Sequence, residues 1–424
     1  MAEAMPVSDA ARGKVRRTVP RVVLLVAASV LLSSCWLQPG WGPHRSGHNP
    51  DERGITRTNV ASLTEVWSSA VGDAPVSDPV VSTEGVHTVA GTWVRTTRLR
   101  DGAERWVARV QPCPDECPWD PAVGPPSVWN GQVLVPWFFG HGGGVLALDG
   151  STGAWLDPVH GGAGGVHPVS VNGDTLAATS EVYCGQCYAA FFSVFDPTDP
   201  SRNWRTTFLE TSRSTAPTFA EDRVVFGLGG RRLVAFTIAP PTDCHPDYPV
   251  CPPLWSFDLQ GDVTAPVVSD DGRTVYVGDT SGRVMALAAS DGSVRWSARL
   301  GGEGTPQVLA PPTVGGGRLY VPSSDGRVYV FAADGCGQAT CAPVWAASTG
   351  SPVTTQAGLA GGVLYVGSDD GTIHAFAADG CDSILCLPVW ETATGSRITG
   401  APTIALGTLL VGTEDGRLVA YRPS

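Results

Sequence analysis

Eleven cysteines and eight histidines hold most of the reactive chemistry in this 424-residue chain. Ten of the cysteines fall into close pairs: Cys113 with Cys117, Cys184 with Cys187, Cys244 with Cys251, Cys336 with Cys341 and Cys381 with Cys386. Cys35 stands apart. Cys184-Gly185-Gln186-Cys187, taken with His141, His160 or His167, offers thiolate and imidazole ligands of the kind that hold zinc, but without a fixed zinc spacing. The same C-x-x-C pattern could exchange disulfides, yet it lacks the helix N-terminus that lowers a thiol pKa. The reading the sequence favours is that all five pairs are local disulfides. On that reading Trp119, His141, His160, His167 and Tyr183 belong to a protein-binding rim. No Ser/His/Asp or paired-carboxylate constellation can be assembled from spacing, so no catalytic residue is assigned.

The first 34 residues read as an address. Arg12, Lys14, Arg16, Arg17 and Arg21 form a basic start, and Val22 to Leu32 is an 11-residue apolar run, too short to span a bilayer as a mature helix. Leu32-Ser33-Ser34-Cys35 then resembles a bacterial lipobox, which implies that Cys35 is acylated and becomes the new N-terminus. Export also suits the cysteines, because disulfides persist in oxidising compartments. Loops this short restrict the unfolded chain by only ~2 kcal/mol each at best. Removing five basic and two acidic residues with the address leaves 23 against 38, a net charge of −15. An acidic surface repels phosphate backbones and anionic lipid, so nucleic acid is excluded as a partner.

The elements that must position these residues are short strands. Hydrophobic residues make up 42% of the chain and charged ones 16%, the balance of a folded protein, and 52 glycines and 35 prolines suit strands joined by tight turns. Trp67, Trp106, Trp155, Trp204, Trp255, Trp296, Trp345 and Trp390 recur every 39 to 51 residues, the period of a β-propeller with one Trp per blade. In the clearest unit, residues 263–300, an inner strand, two middle strands and an outer strand bearing Trp296 follow one another. Turns such as Thr280-Ser281-Gly282, Ser324-Asp325-Gly326, Asp369-Asp370-Gly371 and Glu414-Asp415-Gly416 supply the glycine that a tight hairpin demands.

The chain ends set the blade number. Residues 399–421 carry three strands without a Trp, whereas Leu63 to Ser69 is an outer strand, with Trp67, that has no inner strand before it. Joined, they make an eighth blade and remove both exposed edges. The expected fold is therefore all-β: a single eight-bladed propeller of four-stranded antiparallel blades, closed by the N-terminal strand. The domain expectation is an address over 1–34, a lipid-anchored tether over 35–61 with solvent-facing His44 and His48, and the propeller over 62–424. In such a ring the pairs ending at Cys251, Cys341 and Cys386 staple third-to-outer hairpins on one face. The loops of blades one to four depart from the regular pattern on the opposite face, where repeat scaffolds usually acquire binding.

Two segments carry a family resemblance. Ala147-Leu148-Asp149-Gly150-Ser151-Thr152-Gly153, followed by Trp155, and Ala286 to Trp296 resemble the tryptophan-docking repeat A-x-D-x-x-T-G-x-x-x-W. The first is two residues short, and the second has Asp291 in place of Thr. Ile55 to Trp67 resembles the same family's lead-in segment. The family is that of the pyrroloquinoline-quinone-like repeat propellers, which includes quinoprotein alcohol dehydrogenases and BamB-type envelope lipoproteins. Its dehydrogenases use an adjacent Cys-Cys disulfide beside the quinone, and no two cysteines are neighbours here. The expectation is thus a monomeric, non-catalytic lipoprotein without cofactor, anchored to the cell membrane and binding an envelope or secreted protein. The alternative is a small-molecule- or metal-binding, possibly redox, propeller using the rim of blades one to four. The mature chain's cations are all Arg, which suggests a GC-rich genome, and the family's role in outer-membrane barrel assembly is not carried over.

Overall fold

The computed structural model describes residues 35–111, 120–139, 142–162, 167–183, 188–209, 213–244, 250–301 and 306–424. Their strands form eight sheets arranged as the blades of a propeller. In blade five, Val267–Val268, Thr274–Gly278, Arg283–Ala288 and Val294–Arg299 succeed one another from axis to rim, each antiparallel to the last. Every residue of the second strand is buried, because both its faces pack on neighbouring blades. The expected turn glycines adopt positive φ, +78° at Gly282 and +79° at Gly416.

Closure occurs as the chain ends predict. Leu63–Ala70 pairs antiparallel with Arg417–Pro423, from Leu63 opposite Pro423 to Ala70 opposite Arg417, and is the outer strand of blade eight. Three sheets carry a fifth strand; in blade two it is Ala122–Val123, antiparallel to the second strand. His48–Asn49 lies parallel to the inner strand of blade seven, and Leu385–Cys386 lies parallel to the outer strand of blade six.

The docking tryptophans join the blades at their outer ends. The indole N–H of Trp67, Trp106, Trp204, Trp255, Trp296 and Trp390 donates to a backbone carbonyl of the following blade, at 2.8–3.1 Å. Several rings lie on a glycine of that blade's third-to-outer turn. At Gly292 (φ +72°) a Cβ would stand 2.7 Å from the Trp255 ring, so glycine is required on both conformational and steric grounds. Trp155 departs from the pattern: it is 46% exposed and makes only a single bridge to Leu148. The turn it would meet in blade three, residues 196–203, contains Pro197, Pro200 and a short 3-10 helix but no glycine.

Hydroxyls stitch the blades again near the axis. Ser127, Ser170, Thr218, Thr313 and Thr403, the first residues of their inner strands, each donate to the carbonyl just before the next blade's inner strand. Buried donors and acceptors are thereby satisfied between sheets that share no ladder.

Residues 35–61 differ most from expectation, because they are part of the propeller rather than a tether. From Trp36 to Asn49 the chain passes round the axis and meets the inner strand of every blade in order. The amides of Val81, Val128, Phe219, Val268, Val314 and Leu359 donate to the carbonyls of Trp36, Leu37, Pro43, His44, Ser46 and Gly47 at 2.7–3.1 Å. The Gln38 side chain bonds both backbone groups of Val171, and Asn49 Nδ2 donates to the Ile404 carbonyl. These contacts fall on one repeat position in all eight blades, the residue opposite Val86, Val133, Leu176, Val224, Val275, Leu319, Leu364 and Leu409. His44 and His48 are accordingly half-buried rather than solvent-facing.

Three of the expected disulfides lie among the described residues: Cys244–Cys251, Cys336–Cys341 and Cys381–Cys386, with Cα separations of 4.1, 5.7 and 5.7 Å. All staple third-to-outer hairpins, and each hairpin also reaches back to the outer strand of the preceding blade. Cys251 N donates to Thr206 Oγ1, Cys341 N to the Ser297 carbonyl, and Ala346 N to the Ile384 carbonyl. They clasp outer edges that would otherwise be open to intermolecular pairing. The other two expected disulfides are not among those the structure describes. Cys113 and Cys117 both lie outside the described residues, as do Cys184 and Cys187, so the expected bond from Cys117 to Cys113 stays an expectation of the sequence.

The docking contrast is measurable. Trp296→Ala is expected to lower the unfolding free energy by roughly 3–5 kcal/mol, and Trp155→Ala to change it by no more than about 0.5 kcal/mol, both read by chemical denaturation.

Candidate functional site

Inner-to-second and third-to-outer turns share one face of the propeller, and second-to-third turns with the blade connections share the other. The rim of interest is on the latter, at blades one to four. Cys117, Trp119 and His141 fall outside the described residues. His160 lies in the outer strand of blade two, His160–Gly162, rather than in the connection that follows it, and Tyr183 ends the second strand of blade three opposite Tyr188.

His167 is in the connection to blade three, half-buried, with Nε2 3.8 Å from Glu181 Oε1. The same carboxylate oxygen accepts from Ser214 N at 2.6 Å and Ser214 Oγ at 3.2 Å. One carboxylate thus ties the turn of blade three to the lead-in of blade four, with an imidazole near it at the rim. Among the described residues, no three His, Cys, Asp or Glu side chains are grouped as a metal would need.

Blade one adds residues that spacing alone passed over. Trp93 is 40% exposed and pairs across the third and outer strands with Arg109, whose guanidinium lies 5.7 Å from the indole centroid. Arg109 Nη2 is 3.0 Å from Asp120 Oδ1. Beside them a cleft of about 460 Å³ opens where blades eight, one and two meet, lined by Val76, Val89, Asp120, Ala122, Val123 and Thr399. An exposed indole, a guanidinium and a carboxylate beside an apolar cleft can stack on and hydrogen-bond a polypeptide. The signal was present in sequence: Trp93 is outside the blade period, so inter-blade docking does not account for it.

Other titratable groups serve packing. His87, buried in blade one, lies between Ser82 Oγ at 2.7 Å and Thr96 Oγ1 at 2.6 Å, and burial pushes its pKa down to about 4. His374 is similarly lowered by burial, against the opposing pull of Glu391. On the axis, burial brings the Arg45 guanidinium down to about 10 and pushes the Asp78 carboxyl up, each opposed by the other's charge.

The fold is an eight-bladed propeller, and its C-terminal blades resemble the pyrroloquinoline-quinone-like repeat. Residues 253–338 and 335–423 match the family described as outer membrane protein assembly factor BamB. A 60-residue stretch is 45% identical to Protein Rv3035 of Mycobacterium tuberculosis (strain ATCC 25618 / H37Rv), covering 13% of this chain and 15% of that protein. Among solved structures, quinohemoprotein alcohol dehydrogenase ADHIIG from Pseudomonas putida HK5 superposes with a TM-score of 0.67 at 13% identity, over 94% of this chain and 82% of that one. A europium-containing methanol dehydrogenase gives 0.66 at 14% identity, over 92% and 91%. The computationally designed Ika8 protein gives 0.63 at 15% identity, over 84% and 99%. At these identities the likeness is one of fold. The disulfides and the family together fit an extracytoplasmic protein.

The buried histidine gives a pH dependence with a definite sign. Because folding lowers the His87 pKa from 6.5 to about 4, the unfolded chain binds more protons in that interval. Stability is therefore full above pH 6.5 and falls as the pH drops towards 4, by up to roughly 3 kcal/mol from this group. Denaturant midpoints measured across this range are expected to fall for the native chain and to fall less steeply for His87→Gln.

Proposed function

We propose that this chain is an exported lipoprotein, anchored through Cys35, whose propeller is a non-catalytic module for binding or scaffolding proteins in the cell envelope. The observation that carries the proposal is the segregation of irregularity. Blades five to eight turn with short Ser-Gly or Asp-Gly hairpins, while blades one to four place Trp93, Arg109, Asp120, His167 and Glu181 at one rim. Exposed aromatic and arginine side chains around an apolar cleft are the usual anchors of protein recognition. The lipobox-like Leu32-Ser33-Ser34-Cys35 supports the anchor, and the disulfides support an oxidising location.

The family description of outer-membrane assembly is consistent with a binding role, and only that role is carried over. A quinone-dependent oxidation is not proposed, because the adjacent Cys-Cys pair used by the family's dehydrogenases has no counterpart in the sequence.

Proximity labelling from the anchored chain in its native envelope tests the binding role. The expected result is a reproducible partner that is lost with the double change Trp93→Ala and Arg109→Ser, without loss of folded protein. Labelling no different from background would contradict the role. Stoichiometric metal in the purified chain, lost on replacing His141 and Cys184, would favour the ligand-binding alternative instead. Cys35→Ala is expected to release the chain into the soluble fraction, and continued membrane retention would contradict the anchor.

A further inference from the structure

The position of Cys35 has a consequence for how an anchored propeller meets its membrane. Trp36, the next residue, is 2% exposed, and its carbonyl is bonded to Val81 N at 2.7 Å. One residue spans at most about 3.6 Å, so a lipid on Cys35 allows no spacer between bilayer and propeller. The side of the propeller that bears Cys35 must lie against the headgroups.

That side is the one with the inner-to-second and third-to-outer turns. Cys35 lines a cleft of about 510 Å³ between blades eight and one, with Thr83, Arg98, Arg100, Arg105 and Leu406 around it. Arg98, Arg100 and Arg105 are exposed, and Leu406 is 37% exposed. Arg422 braces the loop by donating to the Leu99 and Arg100 carbonyls. The acidic groups at the cleft are Asp101, paired with Arg98 at 3.1 Å, and Glu84, bonded to Ser82 and Thr83. Among the described residues, neither Arg100 nor Arg105 forms an ion pair. A second cleft beside Cys35, lined by Trp41, Trp129 and neighbours, contains no arginine.

On blades three to five this face is acidic on balance, its carboxylates outnumbering the arginines, of which Arg223 and Arg273 pair with Asp222 and Glu221. Asp174, Glu221, Asp222, Asp270, Asp271 and Asp291 are all exposed on the turns of blades three to five. The net charge that keeps the whole chain from anionic surfaces is therefore reversed locally, at the sector that carries the anchor. A flush attachment keeps these arginines within a Debye length, about 8 Å, of the lipid phosphates, where the attraction is little screened.

We propose that the arginine-lined cleft beside Cys35 seats the phosphate headgroups of anionic phospholipid, so that the anchored propeller leans on the bilayer through blades eight and one. The acidic blades are then lifted from the surface, and the irregular rim faces away from the membrane. This rests on the lipid anchor proposed above.

The test uses the lipidated chain reconstituted in vesicles of equimolar phosphatidylglycerol and phosphatidylcholine. An environment-sensitive dye is placed at Leu406→Cys or, on the opposite face of the same blade, at Glu414→Cys, and a nitroxide lipid serves as quencher. The expected result is strong quenching at 406 and none at 414. Replacing Arg98, Arg100 and Arg105 with Ser is expected to abolish quenching at 406 while the chain stays vesicle-bound. In pure phosphatidylcholine the quenching at 406 should be weak even with the arginines present. Equal quenching at both positions, or quenching at 406 indifferent to the arginines and to phosphatidylglycerol, overturns the orientation and leaves the anchor standing. A purified chain that carries no lipid and does not join the vesicles overturns the anchor and the orientation together.

Discussion

Each blade of a propeller has a strand at the axis whose inner edge has no neighbour, and eight such edges surround one channel. Backbone N–H and C=O groups left unpaired there would cost on the order of 1–3 kcal/mol each if buried dry. In this protein the constraint is met from within the chain. The stretch from Trp36 to Asn49 supplies an acceptor to seven of the inner strands, at Val81, Val128, Val171, Phe219, Val268, Val314 and Leu359, and a donor to the eighth, at Ile404. It passes round the axis by way of tight turns, with Arg45 held at φ +49° and Trp41 at +54°. A non-glycine residue keeps such a conformation only where its surroundings dictate it, and here they are the ring itself.

The outer parts of the structure depend on the same ring. Once the inner strands are fixed, the hydroxyls of Ser127, Ser170, Thr218, Thr313 and Thr403 can bridge to the next blade, and six of the tryptophans can donate to the blade ahead of them. The disulfide hairpins then close outer edges between blades three and four, five and six, and six and seven. No such hairpin follows blade one among the described residues, and Trp155 of blade two leaves its turn undocked. The undocked Trp155 lies in the half whose loops vary, which is where a scaffold can change its surface without losing its closure.

Much of this was legible in the sequence, because repetition is. The tryptophan period, the split last blade and the position of three cysteine pairs relative to their tryptophans all follow from intervals, and the structure has each of them. The axial segment was not legible. Its Pro, Gly and Arg residues have the composition of a linker, and its partners are single backbone groups spread from Val81 to Ile404, with no periodicity to reveal them. Trp155 misled for a related reason: its own blade carries the docking motif, but its partner turn in blade three does not. Of the rim, spacing brought His167 to the face where the structure places Glu181 beside it. Trp93 with Arg109 needed the strand register, which pairs them directly.

An axial segment that begins one residue after Cys35 would also link fold to location, since the proposed anchor and the closure of the ring share a stretch of chain. The central claim is that this segment, and not water, completes the inner strands. Native-state hydrogen exchange read at single residues tests it most directly. In the intact chain the amides of Val81, Val128, Phe219, Val268, Val314 and Leu359 should exchange as slowly as those of the second strands beside them. In a chain shortened to begin at Pro50 they should lose that protection first, while the tryptophan-bearing outer strands retain theirs. Rapid exchange at these amides in the intact chain, or protection unchanged by the truncation, would contradict the account.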